Sequence, residues 1–220
     1  MDIDQLIQII SIGAIPVIFA ITLHEAAHGY VAKRFGDPTA YMLGRVTLNP
    51  VKHIDPVGTI VMPLICLMWG GGLLFGWAKP VPVNFAQLRN PKRDMLWVAA
   101  AGPAANLFMI FFWAGIIKFA SLIPNNPFLE PMIVMGSIGM KINAILMVLN
   151  LLPVPPLDGG RIAVSLLPAP WSNRLAGLET YGFIIFVALL IAQSQMGFLD
   201  ILLGPFVRFA LLSISSLFGI

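Results

Sequence analysis

Long apolar runs dominate this chain, and its polar positions gather in a few short clusters between them. Apolar stretches occupy residues 5–23, 57–76, 95–123, 131–152, 182–192 and 198–220. A helix needs about 20 apolar residues to cross the hydrocarbon core of a bilayer, so most of these runs predict membrane-spanning helices. The 57–76 run is broken by Pro63 and by Gly70-Gly71-Gly72. Residues 77–94 are basic, proline-rich and closer to a strand pattern than to a helical one. No internal repeat, heptad or low-complexity linker is visible.

Composition removes the soluble alternative. Of 220 residues, 58% are hydrophobic and 10% charged, with a mean hydropathy of +0.88. A soluble domain carries about 25% charged residues. The expected fold is therefore an α-helical integral membrane protein, a single membrane-embedded domain over residues 1–220. It should have about five to six membrane segments, counting a re-entrant stretch at 57–76. The net charge of +3 comes from Lys and Arg concentrated in a few inter-helix loops, with no aromatic-interleaved patch, so no nucleic-acid partner is predicted. Cys66 is the single cysteine, which rules out an intrachain disulfide. The start, Met1-Asp2-Ile3-Asp4, lacks the basic region of a signal peptide, and the N-terminus is expected to be retained.

Loop charges predict an orientation. Residues 33–55 and 77–94 carry four Lys or Arg each, whereas 1–8 and 121–130 carry none. Positive loops stay cytoplasmic, which places the N-terminus outside. The 57–76 run then joins two cytoplasmic segments and is expected to be a re-entrant stretch, with Pro63 and the glycine triplet as its break points. Non-helical backbone at that depth must be covered by protein or water.

The chemistry begins at His24-Glu25-Ala26-Ala27-His28. On a helix, positions i and i+4 share one face, so His24 and His28 can hold one metal ion, while Glu25 projects to the side. Two histidines and a glutamate at the end of an apolar helix are costly to bury, which makes a functional pairing the default. An open catalytic zinc site takes three protein ligands. The remaining candidates are His53, Glu130, Glu179 and Asp158. Glu130 and Glu179 sit at apparent helix starts, where a carboxylate complements the helix dipole. His53 lies in a polar loop and reads as solvated. Asp158 follows the proline-rich string Asn150-Leu151-Leu152-Pro153-Val154-Pro155-Pro156-Leu157, where it could fold back into the protein or cap a helix over 161–167. The loop charges bring Asp158 to the same membrane face as His24 and His28.

These residues resemble the site-2 proteases, zinc-dependent intramembrane metalloproteases. The likeness rests on His24-Glu25-Ala26-Ala27-His28, on the N-x-x-P-x-P-x-L-D-G pattern at Asn150, Pro153, Pro155, Leu157, Asp158 and Gly159, and on Gly102-Pro103-Ala104-Ala105-Asn106. It implies one Zn2+ per chain held by His24, His28 and Asp158, with Glu25 as general base. It implies that Asn150 holds the substrate backbone or its oxyanion, and that Gly102, Pro103 and Asn106 serve mainly structural roles. It also implies a small cytoplasmic-side β region within 37–55 and 77–90, pairing with an unwound substrate strand by β-addition. Its substrates would be single-span membrane proteins or peptides in the lipid bilayer, cleaved near the cytoplasmic side of a prokaryotic plasma membrane. Many relatives carry a PDZ or nucleotide-sensing domain. No connection here has room for one, so this is the compact form, and selection could fall to a separate regulatory membrane protein. The glycine-rich 70–76 stretch is a candidate water gate. The competing function is a membrane metal-binding protein or metal ion transporter, which would leave Glu25 without a task. Lys141, midway along an apolar run, finds no role in either reading.

Overall fold

The computed structural model describes residues 3–62, 65 and 78–220. Eight α-helices are found among the described residues: α1 Ile3–Arg34, α2 Thr39–Met42, α3 Pro91–Ser121, α4 Leu129–Asn150, α5 Asp158–Leu166, α6 Ala169–Gly177, α7 Gly182–Met196 and α8 Phe198–Phe218. Four helices are long and apolar enough to cross a membrane: Ser11–Arg34 within α1, then α3, α4 and α8. The 182–192 run becomes α7, whose 15 residues fall short of that length. The protein is therefore a helical membrane protein, with four candidate spans among the described residues. The expected re-entrant stretch enters as a π-helical turn, Pro56–Val61. Most of the rest of it, with Gly70–Gly72 and their expected gate, lies outside the described residues.

Helix α3 is the hub, packing against α1, α4, α5 and α8. Lipid tails are as apolar as leucine, so helices associate in a membrane by close approach of small residues and by polar contacts. The α3–α4 seam shows this. A Cβ placed on Gly139 would sit 2.5 Å from the Trp113 ring, so only glycine lets α4 close onto that indole. Met109, Ile110, Ala114 and Ile117 of α3 complete this core with Met140 and Ala144 of α4 and Ile214 of α8. Elsewhere α8 stands off, and an apolar cavity of about 550 Å3 between it and α3 and α4 is lined by Leu107, Phe111, Met147, Leu203 and Phe206.

The expected β region is not formed among the described residues. The span 37–55 holds α2 and a 3-10 turn at Pro50–His53, and 78–84 is irregular before a second 3-10 turn at Phe85–Gln87. Pro80 and Pro82 supply the reason: alternate residues on one edge have no N–H to give. The segment is instead held piecemeal. Lys79 N donates to the His53 carbonyl at 2.9 Å, Arg45 donates to the Lys79 carbonyl at 2.8 Å, and Asn84 N donates to Asp37 Oδ2 at 2.6 Å.

Candidate active site

Helix α1 carries His24 and His28 one turn apart on the face that meets α3. Each imidazole is fixed through its Nδ1. His28 Nδ1 donates to the Val98 carbonyl at 2.7 Å. His24 Nδ1 lies 2.6 Å from Asn106 Oδ1. The orientation of that amide is dictated in turn: Asn106 Nδ2 donates to the Ala20 carbonyl at 3.3 Å and to Asn143 Oδ1 at 2.9 Å. Asn143 Nδ2 donates to the Gly139 carbonyl at 2.8 Å. Carbonyl oxygens only accept, so this relay leaves Asn106 Oδ1 as acceptor and His24 Nδ1 as donor. Neutral rings thus held expose their Nε2 lone pairs, the form in which histidine binds metal.

Both Nε2 atoms point at Asp158, which α5 presents in its first turn. Asp158 Oδ2 lies 3.2 Å from His24 Nε2 and 3.4 Å from His28 Nε2, and the two Nε2 atoms are 3.1 Å apart. Asp158 is the first residue of α5 and makes no capping bond, so the helix over 161–167 that it might have capped starts earlier. Oδ2 is buried and accepts no hydrogen bond. Three electron-rich atoms within 4.8 Å of one another, with both ring protons committed elsewhere, call for a cation at their centre. The donor set of two imidazoles and one carboxylate suits Zn2+ and leaves a fourth position open.

Close packing explains the glycines. A Cβ on Gly102 would lie 2.5 Å from His24 Cε1 and His28 Nε2, so the imidazoles rest directly on the backbone of α3. Added carbons on Gly159 and Gly160 would run into the Leu151 carbonyl and the Pro155 nitrogen, so the start of α5 can nest against the loop after α4 only with both glycines. Pro103 is buried inside α3, Pro155 is buried in the loop, and Pro153 is exposed and off the site.

A cavity of about 360 Å3 opens over the group. Glu25, Asn150 and Arg161 line it with the three candidate ligands, and Ala78, Pro80, Val81 and Val83 form one wall. Glu25 Oε2 accepts from Val81 N at 2.7 Å, tying the acid to that wall. Asn150 Nδ2 donates to the Leu146 carbonyl at 3.0 Å. The other metal candidates stand apart. His53 is buried rather than solvated, and its Nε2 reaches the Thr47 carbonyl at 3.0 Å. Glu130 is exposed, and Glu179 accepts from Arg161 at 2.8 Å.

Two site residues escape a reading of the sequence. Asn143 anchors the relay that sets the His24 tautomer, and its only signal is an amide inside an apolar run. Arg161, one turn beyond Asp158, brings a cation to the cavity, stacked 5.2 Å from the Phe85 ring centroid. Its signal was position alone.

Comparison with known proteins gives the family. The model for "Peptidase family M50" matches residues 116–192, which include Asn143, Asn150 and Asp158. The chain is 40% identical over 185 residues to "Putative zinc metalloprotease YwhC" of Bacillus subtilis, covering 80% of this chain and 78% of that protein. It is 32% identical over 178 residues to "Putative zinc metalloprotease Rip2" of Mycolicibacterium smegmatis, covering 80% of this chain and 65% of that protein. No solved structure matches the chain. A site built on two histidines and an aspartate, within a chain this similar to YwhC over most of its length, makes the protein a member of peptidase family M50.

Proposed function

We propose that the chain is a zinc-dependent endopeptidase that cuts membrane-spanning proteins inside the bilayer, in the manner of regulated intramembrane proteolysis. One observation carries this reading: His24 Nε2, His28 Nε2 and Asp158 Oδ2 converge while Glu25 lines the same cavity. When bound, zinc supplies Lewis acidity, polarising a carbonyl and bringing the pKa of water to about 7. Glu25 then has the protein's share of the proton work. Its Oε2 is engaged by Val81 N, which leaves the other oxygen to accept a proton from water and return it to the departing amine. Asn150 is the candidate to hold the substrate carbonyl.

The wall at 78–84 supports binding of an unwound substrate strand. Val83 borders the cavity and its N–H has no partner among the described residues, which leaves one backbone donor for a substrate strand beside the Val81 N–H that Glu25 holds. The low count of positive charge in 1–8 and 121–130 supports an N-terminus outside and a site near the cytoplasmic face of a prokaryotic plasma membrane.

The test is elemental analysis of the purified chain alongside cleavage of single-span substrates. Wild type should hold about one zinc per chain, the stoichiometry of a three-ligand site. Asp158→Ala should lose the metal. Glu25→Gln should keep it and lose cleavage, whereas a metal transporter would survive the Glu25 change. Zinc retained in Asp158→Ala would break the assigned triad.

A further inference from the structure

Lys141 has no place in the catalytic site, and its surroundings make it costly. It lies on α4, a candidate span, 12 residues beyond Leu129, or roughly 18 Å along the axis. The four-carbon stem of lysine does not bridge that distance to the outer end of the helix. The side chain is exposed and makes no hydrogen bond or ion pair among the described residues. It is not isolated in pattern: Glu130, Ile133, Ser137 and Lys141 are all exposed, at spacings of three and four, and so form one stripe. Gly136, Gly139, Met140, Asn143 and Ala144, centred about a quarter turn round α4 from this stripe, are buried. A cation facing hydrocarbon needs a carboxylate partner at its own depth.

Two occupants can be set aside on geometry. A second copy inserted in the same orientation, docked through this stripe about a two-fold axis, would bring Lys141 against Lys141. A substrate segment on its way to the site is also excluded. Asn150, which lines the catalytic cavity, is nine residues on, about two and a half turns, and so points away from Lys141.

We propose that Ser137 and Lys141 dock the spanning helix of a different membrane protein, one that carries a single Asp or Glu at the depth of Lys141 and is held without being cleaved. This goes beyond the protease reading and does not depend on it, because association is measured without turnover.

The experiment uses the full chain in phosphatidylcholine vesicles with a synthetic Leu/Ala single-span peptide bearing one central Glu, and its Gln twin. Energy transfer reports association. The Glu peptide should bind wild type about five- to tenfold more tightly than the Gln peptide, the range of interhelical polar contacts in membranes. Lys141→Arg should keep the preference and Lys141→Met should lose it, with zinc content unchanged in both. Equal binding of the two peptides overturns the proposal. So does a preference that survives Lys141→Met, and so does recovery of the Glu peptide in cleaved form.

Discussion

Replacing Asn143 by Ala tests the relay behind His24 without touching a candidate ligand. The change removes the acceptor of the 2.9 Å bond from Asn106 Nδ2 and leaves that buried donor half satisfied. An unpaired buried donor costs about 1–3 kcal/mol, and the amide can recover part of this by rotating its NH2 group toward His24. That rotation turns His24 Nδ1 into an acceptor and moves the ring proton to Nε2, the atom aimed at the metal. Loss of such a supporting contact costs about 10- to 100-fold in metal affinity. Zinc titration against a competing chelator should therefore show a dissociation constant raised by that factor, with cleavage largely restored at saturating zinc. The thermal shift given by zinc should fall in step. At a ligand concentration of one hundred times Kd the metal stabilises by about 2.7 kcal/mol, and a tenfold weaker site leaves about 1.4 kcal/mol. An affinity within about twofold of wild type would refute the argument that Asn143 sets the tautomer through Asn106.

Three further outcomes follow from the site's geometry. Gly102→Ala should abolish zinc binding, since its Cβ would enter the space of both imidazoles at 2.5 Å; the overpacking should cost about 1–3 kcal/mol in chemical denaturation. Val81→Pro keeps the extended backbone favoured before Pro82 but deletes the N–H held by Glu25, so kcat should fall roughly 10- to 100-fold with zinc affinity unchanged. Chelation of the wild-type metal should lower Tm, and Asp158→Asn should show the low Tm with or without added zinc, read by a thermal unfolding scan.

The long helices were legible because hydropathy alone specifies a span, and His24 and His28 because they are costly residues in apolar surroundings, whereas Asp158 stood out among the candidate ligands only through loop charges and the family resemblance. Of the supporting amides, Asn106 was named within its motif and Asn143 was not. Asn106 and Asn143 lie 37 positions apart, and nothing local says that their helices bring them to one depth. His53 was misread for a related reason: a loop position suggests water, yet it is buried and reaches the Thr47 carbonyl six residues away. Pro80 and Pro82 could have argued against a full strand ladder from the sequence alone, since each lacks the N–H that pairing needs.

The contact between Gly102 and the imidazoles also restricts how the molecule can move. Rotating α3 by one residue would bring the side chain of Ala101 or Pro103 into the gap, so the helix cannot turn about its axis while the histidines stay in place. The Asn106–Asn143 bond extends the same restraint to α4, and Asp158 extends it to the start of α5. These parts behave as one stiff block around the site. Any opening that admits a substrate must then come from elements outside it: α7, α8, or the wall at 78–84, which the Glu25–Val81 hydrogen bond and the packing of Val81 and Val83 tie to the block.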